Sequence, residues 1–428
     1  MEVVKIIQSS ELIKGFFSSA FWGGFSKLVA VLITMYCTNK LTQEGFGEYS
    51  FIRNTLDMIV GICATNFSTL AVKFATESIK SEDSLKKLIL LFEFTLFVSF
   101  LTGIIIVAIP YSVLQSFTGG ESVAYFMKMV GICLPVFIIQ PLISAIFRGY
   151  KKFNLVGIYE TANILFYFLL IVIGIHFYNY KGAICAMLLY FSLYSVSGVL
   201  LLALLNKKTH YIKRVTKVNS QKQSLYKMIL PIFLMSFVEA PLLWIAQAEI
   251  GRRATYALVG SLSVILTIRY LVQIVPTYFY QSFIPHVTTL NADGNYKAYY
   301  SKYGKVAKVL LVMLLCLMPI LIFFGDFFLG IFDESYKNSY NSYVLSIIII
   351  PLLLYSTLYK LNMMIREHQV EMLYMTIASS VCFLACFYLF VYLNLNALNA
   401  FFYAQAVQFL YQLLYSLKVF MADYKLCN

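Results

Sequence analysis

Charged residues are scarce in this sequence of 428 residues. Asp, Glu, Lys and Arg together make up 12% of the chain, less than the 17% contributed by aromatic residues, whereas hydrophobic residues make up 60%. A soluble protein of this length could not remove so much apolar surface from water. The composition therefore excludes an ordinary soluble globular protein and predicts an integral membrane protein.

Groups of catalytic or metal-binding residues are lacking as well. The sequence has four His, and among its eight scattered Cys only Cys382 and Cys386 are spaced to share a helix face. It shows neither the order of Ser, His and Asp residues that marks a catalytic triad nor a glycine-rich loop for binding phosphate. The longest connection between apolar runs, at about 205–227, is rich in Lys, Ser and Gln and is too short to be a catalytic domain. We expect no enzyme activity, no metal and no cofactor.

Long apolar runs are what the sequence has instead. A bilayer core of about 30 Å takes about 20 helical residues to cross, and helices are favoured because they satisfy their own backbone hydrogen bonds in lipid. Twelve such runs lie at 15–36, 51–72, 88–110, 124–146, 155–176, 182–204, 228–249, 255–281, 306–325, 343–361, 371–392 and 397–420. The predicted fold class is an all-α integral membrane protein with twelve transmembrane helices.

The Lys and Arg residues are distributed unevenly over the connections between these runs. The termini and every second connection together hold 24 of the 33 basic residues. Because short cytoplasmic loops retain Lys and Arg during insertion, this pattern predicts that both termini are cytoplasmic. It also accounts for the net charge of +13 without a nucleic-acid partner. We divide the chain into a six-helix lobe at 1–206, a basic linker at 207–227 and a second six-helix lobe at 228–428.

A few charged residues lie inside the runs, where each costs about 2.5 to 3.5 kcal/mol to insert. Lys27, Glu239 and Arg269 are near the middle of the first, seventh and eighth runs. Arg269 shares a helix face with Gln273, Thr277 and Tyr280, and lipid would not tolerate such a polar stripe. These residues need a partner or a wet cavity, and an interhelical salt bridge is the structural alternative.

Arg53 and Asp57 lie four residues apart in the second run, so a purely structural pair between them is equally open. The deep charges thus occupy the first two runs of each half, which favours two repeated halves. A weak internal similarity supports the repeat, because Thr42-Gln-Glu-Gly-Phe-Gly-Glu-Tyr49 and Glu249-Ile-Gly-Arg-Arg-Ala-Thr-Tyr256 join the corresponding runs. Repeated halves around a central site are a common plan of transporters.

Three short segments carry a resemblance to a known family. They are Gly45-Phe-Gly-Glu-Tyr49, Arg148-Gly-Tyr-Lys-Lys-Phe153 and Leu329-Gly-Ile-Phe-Asp-Glu-Ser-Tyr336. In their order along twelve predicted helices, the chain resembles a Wzx-type polysaccharide flippase of the multidrug/oligosaccharidyl-lipid/polysaccharide (MOP) exporter superfamily. The resemblance implies the MATE-like fold of that superfamily, with two six-helix lobes around a central cleft.

The resemblance also implies a function and its partners. The expected substrate is an undecaprenyl-pyrophosphate-linked oligosaccharide of the O-antigen or capsule type. It would move from the cytoplasmic to the periplasmic leaflet of a bacterial inner membrane by alternating access. A polysaccharide polymerase and a chain-length regulator are the expected protein partners, beside membrane lipids.

Within this scheme we assign roles to the deep charges. Lys27, Arg53, Arg269 and Gln273 would contact the pyrophosphate or acidic sugars, because a pyrophosphate crossing a bilayer needs cationic partners. Asp57 and Glu239 would neutralise the empty site or bind a coupling proton or sodium ion.

Two other functions remain open from the sequence. A drug or organic-cation antiporter would share the fold, but its cavity would favour acidic residues over the deep cations found here. A membrane polysaccharide polymerase or glycosyltransferase would be an enzyme with a large periplasmic loop, and we find no such loop.

Overall fold

The computed structural model describes the backbone of residues 2–64, 67–78, 82–118, 120–150, 152–209, 222–253, 255–366 and 368–427. Side chains are described from residue 21 onward, except at 208–209, 222–229 and scattered positions that lie mostly between 275 and 292. The described residues form helices, and the chain divides into two compact units, Met1–Ala240 and Pro241–Asn428.

Eight helices precede the linker region. They are α1 (Glu2–Lys40), α2 (Gln43–Cys63), α3 (Ser68–Ser78), α4 (Glu82–Ala108), α5 (Tyr111–Thr118), α6 (Glu121–Phe137), α7 (Ile139–Gly149) and α8 (Phe153–Thr209). Helix α9 (Lys222–Arg253) passes through the boundary between the units at residue 240. Most of the predicted linker, at 210–221, lies outside the described residues.

The C-terminal unit contains the remaining helices and one 3-10 turn. They are α10 (Tyr256–Ala292), α11 (Tyr296–Phe323), α12 (Gly325–Gly330), the 3-10 turn Glu334–Ser339, α13 (Tyr340–Ile348), α14 (Ile350–Ile365), α15 (Gln369–Tyr392) and α16 (Ala397–Cys427). Here α16 packs against α14 and α15, so it lies centrally in the unit.

Nine segments within the described residues are long and apolar enough to cross a membrane. One of them, at 153–207, covers two predicted runs because α8 folds back at Asn179, whose φ of 56° and ψ of −139° are not helical. On either side of this turn Gly174 and Gly182 face each other so closely that a Cβ on either would collide with the carbonyl of the other. Glycine therefore allows the two arms of α8 to pack as a hairpin.

Two predicted runs do not reach the hydropathy of a span, namely 51–72 and 397–420. They correspond to α2 with α3 and to α16, which carry charged or amide side chains inside their apolar sequence. Their polarity explains the low hydropathy, and their positions complete the twelve predicted helices. The prediction of an all-α membrane protein with twelve helices is thus confirmed.

The prediction was wrong in one respect for two of the helices, because each of them is divided in the structure. The run 124–146 is split between α6 and α7 at Ile138, and the run 343–361 is split between α13 and α14 at Ile349. Pro141 and Pro351 lie directly after these breaks. Proline lacks the N–H that would continue the helical ladder, which accounts for both interruptions.

The segment 148–153, one of the three that carry the resemblance, forms a tight connection between α7 and α8. Gly149 packs against α3, where a Cβ would come within 2.7 Å of the Val72 carbonyl oxygen, and Thr76 donates a hydrogen bond to the Gly149 carbonyl at 3.0 Å. Arg148 forms an ion pair with Glu160 of α8 at 2.7 Å. This segment therefore holds three helices together.

The other two segments begin helices. The Thr42 hydroxyl caps α2 by accepting a hydrogen bond from the Gly45 N–H at 3.1 Å. The Asp333 carboxylate accepts from the Ser335 N–H at 2.9 Å and so caps the 3-10 turn. Caps of this kind satisfy backbone donors that a helix start leaves open. All three segments thus have structural roles at turns, and the first of them ends at Tyr49, on the same helix as Arg53 and Asp57.

Candidate functional site

One group of predicted site residues lies in the N-terminal unit on α2. Tyr49, Arg53 and Asp57 follow each other at four-residue intervals, so they project from one side of the helix. Tyr49 is fully buried, Arg53 is half-buried and Asp57 is exposed. The polarity of this side of α2 therefore increases from a buried phenol to an accessible carboxylate.

Arg53 lies over Tyr49, the first of three tyrosines that contact one another in a row. The Arg53 guanidinium carbon lies 5.9 Å from the centre of the Tyr49 ring, within the range of a cation–π interaction. The Tyr49 hydroxyl is hydrogen-bonded to the Tyr167 hydroxyl of α8 at 2.6 Å, and the Tyr167 ring stacks on Tyr190 at 4.3 Å between centroids. This row joins α2 to both arms of α8 and holds Arg53 on a rigid support.

The charges of α1 and α2 act on each other in this unit. The Asp57 carboxylate interacts electrostatically with Arg53 and, more weakly, with Lys27 of α1. Lys27 is exposed, as Asp57 is. The structure therefore brings Lys27, Arg53 and Asp57 into one cluster with a net charge of +1, which can attract an anion while its carboxylate moderates the repulsion between the cations.

A second group lies in the C-terminal unit around Arg269 of α10. This side chain is only 4% exposed, and its Nη1 donates a hydrogen bond to the Gln405 Oε1 of α16 at 2.7 Å. Its Nε has no hydrogen-bond partner, the guanidinium also interacts with the neighbouring Tyr270, and within the described part of the chain Arg269 forms no ion pair. The predicted structural alternative for Arg269, an interhelical salt bridge, is thus replaced by a neutral amide partner.

The polar stripe that was predicted beside Arg269 is only partly described. Gln273, one turn further along α10, is half-buried, and the Tyr280 hydroxyl donates to the Leu354 carbonyl of α14 at 2.8 Å. The side chain of Thr277 lies outside the described residues. Arg269 and Gln273 therefore share a helix, whereas Tyr280 belongs to the packing between α10 and α14.

Glu239, the other predicted ion-coupling residue, lies on α9. It is half-buried. Because the N-terminal unit ends at residue 240, directly before Pro241, Glu239 belongs to the end of that unit. The structure therefore assigns Lys27, Arg53, Asp57 and Glu239 to the N-terminal unit, and Arg269 and Gln273 to the C-terminal unit.

A row of buried glutamines on α16 was not predicted from the sequence. Gln405, Gln408 and Gln412 are each no more than 5% exposed, and Gln412 donates to the Ser379 hydroxyl of α15 at 2.9 Å. Neither amide atom of Gln408 has a hydrogen-bond partner among the described groups. Their spacing of three and four residues inside an apolar run was the signal that could have revealed them, because it places all three on one helix face.

A buried carboxylate near the end of α16 was missed as well. Asp423, which is 4% exposed, accepts a hydrogen bond from Asn362 Nδ2 at 3.0 Å and lies 3.1 Å from His368 Nε2 and 3.9 Å from Arg366 Nε. The Tyr299 hydroxyl donates to Asn362 at 2.8 Å. This network ties α11, α14 and α16 together. The sequence showed only isolated polar residues at helix ends, with no sign that they meet.

Comparison with known proteins connects this architecture to a family. The family model described as "Polysaccharide biosynthesis protein" matches residues 12–291. A search of curated proteins gives no significant match.

Solved structures with a similar fold include transporters of the MOP superfamily. An inward-facing multidrug resistance MATE family transporter has a TM-score of 0.75 at 12% identity, over 94% of this chain and 95% of that one. The outward-facing conformation of a multidrug resistance MATE family transporter has a TM-score of 0.72 at 13% identity, over 97% and 96% of the two chains. A MOP superfamily transporter from Pyrococcus furiosus has a TM-score of 0.69 at 13% identity over the same shares. Likeness at this identity establishes the fold, which is that of the MOP exporters, as predicted.

Proposed function

Because the chain belongs to the polysaccharide biosynthesis protein family and has the fold of MOP transporters, we propose that it is a Wzx-type flippase for lipid-linked oligosaccharides. The proposed substrate is an undecaprenyl-pyrophosphate-linked repeat unit of the O-antigen or capsule type. The protein would move it between the leaflets of a bacterial inner membrane by alternating access, with both of its own termini in the cytoplasm.

The observation that carries this proposal is the state of Arg269. A cation that is 4% exposed in a membrane helix is costly, and its described partner is the neutral amide of Gln405. A structural arginine would be expected to have a carboxylate partner. An arginine with an uncompensated charge is suited to a ligand that brings the negative charge itself, such as a pyrophosphate or an acidic sugar.

The cluster in the N-terminal unit supports the same substrate class. Lys27 and Arg53 supply two cations against the single carboxylate of Asp57, and both Lys27 and Asp57 are accessible. An accessible charge within a membrane helix needs water or a ligand, because contact with lipid would cost about 2.5 to 3.5 kcal/mol. We propose that Lys27 and Arg53, together with Arg269 and Gln273, contact the substrate.

Energy coupling would involve the carboxylates. When the substrate is absent, Asp57 can neutralise part of the charge of Lys27 and Arg53, and binding a proton or sodium ion to Asp57 would release those cations for the anionic substrate. Glu239 is the second proposed coupling residue. A polysaccharide polymerase and a chain-length regulator are proposed as partners, since each translocated unit must then be polymerised.

A drug or organic-cation antiporter is the second candidate function. The similar folds of multidrug MATE transporters favour it, but the excess of cations in both groups of site residues opposes a cationic cargo. For the Pyrococcus furiosus transporter, the reverse polarity of the binding pocket suggests a different function. Charge at the site therefore separates functions within this fold, and the positive charge here favours an anionic substrate.

Surface polysaccharide in a deletion strain tests the proposal. We expect that the strain displays no polysaccharide, that the wild-type gene restores it, and that Arg269→Ala or Lys27→Ala fails to restore it at an unchanged protein level. Arg253→Ala is the matched control, because this exposed arginine pairs with Glu249 outside both groups. Normal polysaccharide in both site mutants would contradict the site.

The length pattern of the polysaccharide separates the competing functions. A polymerase mutant would still display a single repeat unit, whereas a flippase mutant displays none. Normal polysaccharide in the deletion strain, combined with increased sensitivity to cationic drugs, would favour the antiporter.

A further inference from the structure

An apolar groove lies in the C-terminal unit, and Arg269 is not among its lining residues. The groove has a volume of about 740 Å³ and lies between α11, α13 and the start of α14. Leu311, Leu315 and Phe323 line it from α11, and Tyr340, Pro351 and Tyr355 line it from the other two helices. This volume is in the range of sites that hold small organic ligands.

The polar groups at the groove are already satisfied within the protein. The Tyr355 hydroxyl donates to the Ala307 carbonyl at 2.7 Å, and the Tyr340 hydroxyl donates to the Ile322 carbonyl at 3.0 Å. The protons of these two hydroxyls are therefore not available to a ligand. The lining side chains from α11 are all apolar, so the groove suits a hydrocarbon.

The groove faces lipid, because its lining residues Leu311, Leu315 and Phe323 are exposed and α11 is the least covered of the described spans. Only 17% of its most apolar window is buried. The lining residues extend from Leu311 to Phe323, which corresponds to about 18 Å along the helix. One leaflet of a bilayer core is about 15 Å deep. A groove of this length that begins near the membrane surface extends past the middle of the bilayer, so it suits a chain that passes from one leaflet towards the other.

The basic end of α11 provides the charge that complements an anionic headgroup. Lys308 is exposed and lies three and seven residues before Leu311 and Leu315, so it continues the groove face by one helical turn. Lys302 lies six residues before Lys308, and at about 100° per residue this puts it on the side of α11 opposite to the groove. The predicted topology assigns this end of α11 to the cytoplasmic leaflet, where a lipid-linked oligosaccharide would enter.

From these observations we infer that the groove between α11, α13 and α14 binds the polyprenyl chain of an anionic polyprenyl phosphate lipid, with its phosphate at Lys308. This inference rests on the proposed function, which requires such a lipid as substrate. The groove would hold the hydrocarbon chain at the surface of the C-terminal unit while the headgroup is exchanged between water and the cationic residues.

Photo-crosslinking tests the inference on the full-length protein in nanodiscs of phosphatidylethanolamine and phosphatidylglycerol. The probe is an undecaprenyl monophosphate with a diazirine in its chain, and a phosphatidylglycerol with a diazirine in an acyl chain serves as the second arm. Mass spectrometry locates the labelled peptides. We expect the polyprenyl probe to label α11 and α14 between residues 311 and 355, and the phosphatidylglycerol probe to label the whole lipid-facing surface evenly.

Two sets of variants sharpen this test. Leu315→Trp fills the groove and should lower labelling by the polyprenyl probe about tenfold, whereas Ile320→Trp, at a position that is also exposed but lies on the opposite side of α11, should leave it unchanged. Lys308→Gln should weaken labelling about fivefold, Lys308→Arg should restore it, and Lys302→Gln should have no effect.

The outcomes separate the groove from the proposed function. Labelling of the groove by phosphatidylglycerol alone, or equal labelling of Leu315→Trp and wild type, would overturn the groove assignment even if polysaccharide export requires the protein. Groove labelling together with normal export in the deletion strain would instead overturn the proposed function and leave a lipid site.

Discussion

At the scale of single residues, the two arginines of the site differ in how their charge is balanced. Arg53 lies over the Tyr49 ring and acts on the nearby Asp57 carboxylate, so its charge is partly compensated within its own unit. Arg269 has the Gln405 amide and the neighbouring Tyr270 hydroxyl as described partners, and no described carboxylate pairs with it. Removing Arg269 should therefore affect substrate binding more than stability, whereas a structural arginine would show the reverse.

The double variant Arg269→Met, Gln405→Leu tests this difference. Replacing a buried polar pair by apolar residues of similar volume is nearly neutral or stabilising, so we expect the Tm of the purified protein to stay within a few degrees of wild type while export is lost. A large fall in the Tm would show that the pair is structural. Arg269→Met alone should lower the Tm more than the double variant does, because it leaves the Gln405 oxygen unpaired.

Asp423 is the opposite case, a buried carboxylate with several partners. Asp423→Ala removes the acceptor for Asn362 and leaves Arg366 and His368 without their shared anion. We expect a loss of about 1 to 3 kcal/mol, measured as a lower Tm of the purified protein. Glu371→Ala is the control, since Glu371 is half exposed and contacts only His368 at 2.9 Å in this network. A Tm equal to wild type in Asp423→Ala would refute the structural role.

At the scale of helices, close approach between backbones determines where the chain can turn. The α8 hairpin depends on Gly174 and Gly182 facing each other beside Asn179. The composition of this region predicted two separate helices, at 155–176 and 182–204. The sequence did not indicate that the glycines would be in contact, because that contact depends on how the two arms are folded against each other.

Substitution of Gly182 tests the hairpin. Gly182→Ala forces a Cβ into the Gly174 carbonyl and should destabilise the protein by about 1 to 3 kcal/mol. Gly304→Ala is the matched control, because nothing lies within 4 Å of a Cβ there and α11 should gain about 0.5 to 1 kcal/mol from the better helix former. Thermal unfolding of both variants measures the difference, and equal Tm values would contradict the packing of α8.

At the scale of the whole molecule, the distribution of charges and apolar runs predicted the twelve helices and the all-α membrane fold. The breaks at Ile138 and Ile349 were not predicted, although Pro141 and Pro351 mark them. The candidate cations were found from their depth in the runs, since an unexplained charge in a membrane helix is conspicuous. Their partners were not found, because the contacts of Arg269 with Gln405 and of Asp423 with His368 join residues 136 and 55 positions apart.

Labelling of introduced cysteines tests the predicted topology in a variant that lacks the eight native Cys. Asp293→Cys and Lys337→Cys lie before the start of α11 and after the end of α12, respectively, and Asp293 is exposed whereas Lys337 is half-exposed. We expect an impermeant thiol reagent added to intact cells to label Lys337→Cys alone, and both sites after permeabilisation. Labelling of Asp293→Cys in intact cells would contradict the predicted orientation.

The most direct test of the central claim is transbilayer movement of a lipid-linked oligosaccharide by the purified protein in liposomes. The measurement follows a fluorescent undecaprenyl-pyrophosphate oligosaccharide as it becomes accessible to a quencher on the other side. We predict movement with wild type and with Arg253→Ala, and none above protein-free liposomes with the double variant Arg269→Met, Gln405→Leu. Absence of movement with wild type, or equal movement with that double variant, would contradict the account.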